Sequence, residues 1–351
     1  MDRYKIKEFE EYKRQGEPGR LEKSQIWETA IGLQQVDGLT PSKYLIETAK
    51  EQIEGDITFQ EAQARIHSYY KAKPSQNVGE METEEADKVS AKIAEILADK
   101  SFTFSPIELQ NIHKKLFDGI FSFAGDIRDY NITKDEWVLG GDTVYYASFE
   151  SIIPTLQYDF NEEKAFNYKG LSKQQSVEHI AKFISGIWQI HPFGEGNTRT
   201  TAVFAIKYLR TLGFNVNNKL FAEHSWYFRN ALVRASYNNV NCEAYSSDIF
   251  LIEFFENLLI GAKHALRNRN LLIKSDTVND TVKANFDTVK LPCDTVIDLI
   301  KINNKITANE IAEKLKISLS TVKREIKKLK NSGEIERVGS DKKGQWNVLQ
   351  N

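Results

Sequence analysis

The 351-residue chain has only two cysteines, Cys242 and Cys293, which are far apart and match no metal-binding spacing. This scarcity provides no disulfide framework and is typical of a reducing compartment, so the sequence predicts a cytoplasmic protein. Prolines number only seven, and no low-complexity tract or internal repeat is visible. A chain of this length is expected to fold as two or three domains.

The sequence also lacks a strong charge of either sign and any long apolar run. A net charge of −2 argues against nucleic-acid or membrane binding by the whole protein, although it leaves room for a local basic patch. The longest apolar candidate, 249–266, is interrupted by Glu253, Glu256 and Lys263, so no membrane partner is expected. The charged segment from Met1 to Gly19 has no apolar core of the kind that a signal peptide needs.

The chain is organised around one loop, His191-Pro-Phe-Gly-Glu-Gly-Asn-Thr-Arg-Thr200. Apolar, helix-like sequence lies on both sides of it, at Ile180–Ile190 and Ala202–Leu209. We therefore predict a loop that joins two buried helices, the second capped by Asn197 or Thr198.

The residue types in this loop indicate phosphate chemistry. Backbone N–H groups of residues 196–198 at a helix N-terminus form an anion site, and Arg199 offers a planar fork to phosphate oxygens. Glu195 offers a hard oxygen ligand for Mg²⁺, and His191 can act as a general base near neutral pH. This ordered set favours phosphoryl or nucleotidyl transfer, whereas a turn with a core histidine and a surface ion pair would not require it.

The loop resembles the signature of Fic proteins, His-x-Phe-x-(Asp/Glu)-Gly-Asn-Gly-Arg-x-x-Arg. The resemblance implies transfer of AMP from ATP-Mg²⁺ to a target-protein hydroxyl, with His191 as the base and Phe193 as the anchor of the loop. It implies that Glu195 binds Mg²⁺. The phosphate contacts that it implies are Gly194, Gly196, Asn197, Thr198 and Arg199.

Two positions depart from that signature. Thr198 stands where the family has Gly, and Ala202 stands where it has a second Arg for the γ-phosphate. Loss of that Arg removes a charge-assisted contact of about 1.5–3 kcal/mol. The sequence therefore does not determine the donor nucleotide. Transfer of UMP, or removal of a previously attached group, is the alternative prediction for the enzymatic reaction.

Residues 1–20 are predicted to be a charged tail, and residues 21–75 a three-helix cap. The predicted helices are Leu21–Gln35 with Gly38 as its stop, a second from Thr40 (N-cap) and Pro41, and a third capped by Asp56 or Thr58. This segment resembles the antitoxin domain of some Fic toxins. Its inhibitory motif is matched only loosely, by Leu33-x-x-x-Asp37-Gly38.

Asp37 is therefore the candidate regulatory residue. Since Ala202 replaces the Arg with which such a carboxylate would pair, we predict that the cap is structural or a weakened brake. An ordinary helix end with an Asp-Gly stop is the alternative.

Residues 76–272 are predicted to be the Fic catalytic domain. Phe123–Arg128 resembles the family's aromatic-Ala-Gly-x-x-Arg stretch. β-prone runs around Gly140-Gly141, at 137–138 and 143–146, predict a hairpin, which in the family is a flap that aligns the target by strand addition. A surface hairpin without a ligand is the alternative. Lys134 beside it is a candidate nucleotide contact.

Tyr227 and Asn230, on a predicted helix, resemble family positions that flank the base and ribose, although an aromatic at helical spacing is more often core. The other histidines, His113 among them, are assigned to packing or to the surface.

Residues 273–290 are predicted to be a linker, and residues 291–351 resemble a winged helix-turn-helix domain. Its recognition helix carries candidate DNA contacts at Ser320, Thr321, Lys323, Arg324 and Lys327. A protein-interaction or dimer module is the alternative.

The sequence thus predicts a mainly α-helical protein with a flap, an N-terminal cap and a C-terminal winged helix. The predicted function is protein adenylylation with ATP and Mg²⁺ on a protein that docks at the flap; a nucleotide-sensing, DNA-binding regulator without catalysis is the competing class. Homodimerisation is left open.

Overall fold

The computed structural model describes residues 9–15, 17–216, 219–240, 244–273, 289–290, 293–315, 317–338 and 344–349. Its fold is mainly α-helical, as predicted, with two short two-stranded sheets in this part of the chain. Buried apolar side chains form two separate cores, one drawn from residues between Phe9 and Leu271 and the other from residues between Val296 and Trp346. The C-terminal region therefore has a core of its own.

The N-terminal region contains four helices and one 3₁₀ helix: α1 (Glu10–Gln15), α2 (Pro18–Gly32), the 3₁₀ helix Leu33–Asp37, α3 (Lys43–Glu54) and α4 (Phe59–Ala72). The predicted tail is wrong for its described residues, because Phe9 and Tyr12 are buried in the main core. Gly38 ends the 3₁₀ helix in the left-handed conformation, as its position predicts.

The caps of α3 and α4 show how tertiary contacts adjust local signals. Thr58 and Glu61 form a reciprocal capping box at α4, and Thr58 was one of the two predicted caps. The predicted start of α3 at Thr40 and Pro41 is wrong. Ser42 is the N-cap, since its hydroxyl accepts from the Leu45 N–H at 3.1 Å and donates to Asp87 at 2.5 Å.

The central region consists of seven helices: α5 (Val78–Ala98), α6 (Pro106–Phe117), α7 (Ile152–Ala165), α8 (Lys173–Ile190), α9 (Asn197–Thr211), α10 (Lys219–Ser236) and α11 (Ile249–Leu259). Nearly every residue of α9 is buried, so this helix runs through the middle of the main core. The loop between α8 and α9 is therefore held from several sides.

The predicted hairpin flap does not form as a pair of strands. Trp137–Leu139 is a 3₁₀ helix. The Lys134 N–H donates to the Thr143 hydroxyl at 3.0 Å, whereas in a hairpin it would donate to a backbone carbonyl of the facing strand. The strand beside it, β1 (Thr133–Lys134), instead pairs antiparallel with β2 (Val289–Lys290). Most of the predicted linker, 274–288, lies outside the described residues, but its last two residues form β2.

The C-terminal region has the predicted order of elements: α12 (Cys293–Ile302), α13 (Ala308–Leu315), α14 (Leu319–Asn331), β3 (Ile335–Val338) and β4 (Gln345–Val348). β3 and β4 pair antiparallel, and the wing turn between them, 339–343, lies outside the described residues. Thr307 with Glu310 caps α13, and Ser318 caps α14. In the described part of the chain, no helix has the length and apolarity to cross a bilayer.

Candidate active site

His191 ends α8 in an unusual backbone conformation. It is the one described non-glycine residue with a positive φ, 52°, which costs energy unless the surroundings fix it. Arg128 supplies that restraint: its side chain donates to the carbonyls of His191 at 2.7 Å, Ile190 at 3.3 Å, Tyr130 at 2.6 Å and Ala147 at 2.5 Å. One guanidinium thus sets the direction in which the imidazole leaves the backbone.

The imidazole of His191 is buried and has one nitrogen available for chemistry. Its Nδ1 lies 3.2 Å from the Trp188 carbonyl, and because a carbonyl only accepts, we assign the proton to Nδ1. Nε2 then carries a lone pair, and it is buried with no hydrogen-bond partner. Burial, with help from the cations of Lys134 and Arg128, holds the pKa of His191 well below its usual value. A neutral imidazole with a free Nε2 is the form that a general base requires.

The start of α9 differs from the prediction. Gly196, at φ 76°, is the N-cap, and the Asn197 side chain does not cap the helix but closes the loop, accepting from Phe193 N–H at 3.0 Å and donating to Phe193 O at 2.7 Å. The Thr198 hydroxyl accepts from the Trp188 indole N–H at 3.0 Å. Thr198 therefore supports the residue whose carbonyl orients His191.

Two aromatic contacts fix the loop beneath this helix start. Phe193 stacks on His113 with ring centroids 3.8 Å apart, and a Cβ on Gly196 would lie 2.3 Å from the Phe117 ring. His113 accepts from the Gly125 N–H at 2.9 Å, so its Nε2 donates to the Glu195 carbonyl at 3.0 Å. Burial lowers the pKa of His113 to about 3, which keeps it neutral. His113, assigned to packing or surface from sequence, is a positioning residue.

Arg199 is buried and held by acidic and amide groups from outside the loop. Its Nε lies 2.6 Å from Asp37 as an ion pair without hydrogen-bond geometry, and its other nitrogens donate to Glu85 at 2.7 Å and to Gln34 at 3.1 Å. Burial opposes the charge, yet Asp37 and Glu85 raise the pKa of Arg199. Burial also raises the pKa of Glu85 to about 7, more than Arg199 lowers it.

The predicted phosphate side of the site is one small cavity of about 40 Å³. It brings together Asp37, Lys134, Glu195, Gly196 and Arg199 with residues of α14. The Glu195 carboxylate accepts from the Ser318 backbone N–H at 3.1 Å. The cavity is far below the roughly 300–1,000 Å³ of ordinary small-molecule sites.

Comparisons with known proteins agree with this geometry. Residues 103–209 match the model of the Fic/DOC family, and residues 294–344 match a helix-turn-helix (HTH) domain model. The chain contains a Fic domain. That domain covers α6 to α9, including the whole loop from His191 to Thr200, and the HTH match covers α12 to β3 and ends just before β4.

Two curated relatives match part of this chain. The chain is 28% identical over 109 residues to "Protein adenylyltransferase VbhT" of Bartonella schoenbuchensis, which is 31% of this chain and 22% of that protein. It is also 28% identical over 120 residues to "Probable protein adenylyltransferase Fic" of Escherichia coli, 34% of this chain and 56% of that one. The match thus spans no more than about half the length of these relatives.

Solved Fic structures are more distant. The N-terminal FIC domain of Bep8 from Bartonella sp. 1-1C aligns with 53% of this chain and 88% of its own, at 20% identity and a TM-score of 0.42. A Fic family protein from Desulfovibrio desulfuricans G20 aligns with 92% of this chain and 87% of its own, at 12% identity and a TM-score of 0.39.

Beyond the Fic loop, the two predicted base contacts, Tyr227 and Asn230, bond to residues outside this cavity. The Tyr227 hydroxyl donates to Glu253 at 3.2 Å, and Asn230 donates to Asn268 at 2.8 Å; neither lines the cavity. The residue of α10 that reaches towards the site is Arg229, in a buried ion pair with Glu136 at 2.7 Å. Glu136 also accepts from the hydroxyl of Tyr146, whose ring centroid lies 4.2 Å from that of His191. No motif or helical spacing in the sequence distinguishes Arg229 from the other residues of α10, so its place near the site could not be predicted.

Some of the predicted DNA contacts are covered by the rest of the molecule, and one of them is exposed. Ser320 and Thr321 are buried and line the cavity together with Arg324, and Lys323 lies 3.6 Å from the Met81 sulfur of α5. Lys327 is exposed. The N-terminal turn of the recognition helix is therefore covered by the rest of the molecule.

Glu195 is the loop carboxylate that could hold a magnesium ion beside a nucleotide. Within the described residues, no group of three His, Cys, Asp or Glu side chains is placed to hold a metal, and Glu195 is the one candidate from the loop. Mg²⁺ in nucleotide sites commonly uses one or two carboxylates and completes its shell with phosphate oxygens and water. Glu195 satisfies the protein's part of that donor set.

Proposed function

We propose that the Fic domain transfers AMP from ATP-Mg²⁺ to a hydroxyl side chain of a target protein. The observation that carries this proposal is the neutral, buried imidazole of His191 with a free Nε2. It lies in the same loop as a helix N-terminus and a buried guanidinium, which suit phosphate. The two adenylyltransferase relatives of the domain support the same chemistry.

In this reaction, His191 Nε2 accepts the proton of the target hydroxyl. The hydroxyl oxygen forms a bond to the α-phosphorus while the bond from that phosphorus to the bridging oxygen breaks, and pyrophosphate leaves. Backbone N–H groups at the start of α9 bind phosphate oxygens, and Arg199 contacts the β/γ end. Glu195 holds Mg²⁺, which neutralises phosphate charge when it is bound.

The target is proposed to dock by strand addition at the edge of β1. Because Ala202 offers no second guanidinium, Lys134 is proposed as the additional cation near the phosphates; it lines the same cavity as Arg199. Burial lowers the pKa of Lys134, and the positive charge of Arg229 lowers it further.

Radioactive labelling tests the proposed reaction and its donor. Cell lysate is incubated with Mg²⁺ and either α-labelled ATP or α-labelled UTP, using the full chain, the Asp37→Ala variant and the matched His191→Ala double variant. We expect label on protein with ATP, and none when His191 is replaced. Label from UTP alone would reassign the donor. No label from either nucleotide with Asp37→Ala would remove the enzymatic function.

We propose a second function, binding of duplex DNA, for the HTH domain. Exposed Lys327, Lys328 and Lys330 on α14 give it a basic surface. Because phosphate contacts release counterions, binding should weaken steeply as salt rises, and Lys327→Ala should reduce both the affinity and the salt slope. Salt-independent binding, or none, would leave the domain as a protein-interaction module.

A further inference from the structure

The HTH domain and the strand before it contact the rest of the molecule at four separate places. The Ser318 N–H bonds to Glu195, and Lys323 reaches Met81 on α5. Tyr130, which follows the Arg128 restraint, packs against the apolar core of the HTH domain. β2, just before α12, pairs with β1 in antiparallel register, Thr133 opposite Lys290.

This docking leaves too little room for a nucleotide. The cavity beside Arg199 and Glu195 measures about 40 Å³, and Ser318, Ser320, Thr321 and Arg324 form its HTH wall. A triphosphate with its metal needs a site several times larger. The first turn of α14 therefore stands in the space into which the phosphate tail would extend.

The groups at this contact use the same chemistry that nucleotide binding needs. Glu195, the proposed magnesium ligand, instead accepts a backbone N–H at the positive end of the α14 dipole. Next to it, the hydroxyls of Ser318, Ser320 and Thr321 bond to each other at 2.8 and 2.9 Å. Breaking this contact exposes a carboxylate to Mg²⁺ and frees the start of α14.

We propose that the HTH domain is an intramolecular competitor of both substrates of the Fic domain. The N-terminal turn of α14 occupies the position of the nucleotide phosphate tail, and β2 occupies the strand edge of the target. The inference rests on the proposed nucleotide transfer. Nucleotide and docked helix exclude each other, so ATP-Mg²⁺ releases the recognition helix, and whatever holds the released helix favours nucleotide binding by the same factor.

A wedge variant tests the competition. Ser320→Trp places a large ring in the buried contact, and Asn331→Trp, on an exposed position of the same helix, is the matched control. Binding of ribose-labelled fluorescent ATP with Mg²⁺ is titrated for the full chain and both variants. We expect Ser320→Trp to lower the Kd at least about tenfold, and Asn331→Trp to leave it unchanged.

Hydrogen exchange on the unaltered chain gives a second readout that does not depend on the wedge variant folding. Saturating ATP-Mg²⁺ should speed backbone exchange in 318–324 and at Val289–Lys290 while slowing it in the loop 191–199. Equal Kd values for all three proteins with unchanged exchange in 318–324 would overturn the competition and leave nucleotide binding intact. If no protein binds the nucleotide, the proposed transfer and the competition both fall.

Discussion

The Asp37 carboxylate lies 2.6 Å from Nε of Arg199, so the N-terminal cap reaches the first arginine of the Fic loop. In the sequence, Ala202 replaces the arginine with which this carboxylate is expected to pair. The structure shows a different pairing, in which Asp37 and Glu85 hold the guanidinium that is proposed to bind phosphate. The hypothesis that the cap is structural or a weakened brake rests on the missing second arginine and does not include this pairing with Arg199.

Replacing Asp37 by Ala should raise nucleotide transfer. Arg199 then loses one of its two anionic partners and is free to turn towards a phosphate, so we expect a several-fold increase in labelling rate. Asp56→Ala, an exposed aspartate of the same cap, is the control and should have no effect. Equal rates for both variants would show that Asp37 does not restrain the site.

Thr198→Val should destabilise the protein by about 1–2 kcal/mol. The substitution leaves the buried Trp188 indole N–H without its acceptor, and an unsatisfied buried donor costs that amount. Thr200→Val on the same helix is the matched control, since the Thr200 hydroxyl is buried without a partner, and it should be neutral or slightly stabilising. Urea unfolding of both variants checks the difference, and equal losses would contradict it.

Gly196→Ala should be more damaging than Gly213→Ala. Both glycines have a positive φ, 76° and 84°, so each substitution incurs backbone strain of about 1–2 kcal/mol. At Gly196 the new methyl also lies 2.3 Å from the Phe117 ring, whereas nothing is within 4 Å at Gly213. We expect about 1–3 kcal/mol of additional loss at Gly196, measured by urea unfolding. Matched losses would mean that the ring moves aside freely.

Glu85→Gln should become more favourable for stability as pH rises. Burial raises the pKa of Glu85 to about 7 from its usual value of 4.5, so the folded state binds its proton more tightly than the unfolded state does. The stability that this proton provides is complete below about pH 4.5 and is lost as pH rises through about 7.

The glutamine keeps an acceptor for Arg199 but does not titrate. Between pH 5 and pH 8 its unfolding free energy should therefore gain on the unaltered protein by about 2–3 kcal/mol, measured by urea unfolding at each pH. A difference that stays flat over this range would show that Glu85 is ionised throughout.

Local signals predicted much of the fold. Thr58 caps the helix expected of it, because a hydroxyl and a few neighbouring residues suffice for a cap. The loop from His191 to Arg199 can be identified for a similar reason, since its candidate functional residues are close together in the sequence.

The remaining features depend on partners far along the chain. Phe9 and Tyr12 belong to a charged segment, and only the main core explains their burial. The β-prone runs around Gly140 could not show that β1 would pair with a strand more than 150 residues later. Nor could the composition of α14 show that its first turn would face Glu195 and not solvent.

Arg128 gives the Fic loop a dependence that its ten residues conceal. This one side chain binds carbonyls at Tyr130, Ala147, Ile190 and His191, and thereby joins three separate stretches of backbone. A lysine there would offer a single point charge in place of a planar fork. Transplanting the loop into another helical scaffold would consequently carry over its residues without the angle of its imidazole, unless that guanidinium travelled with it.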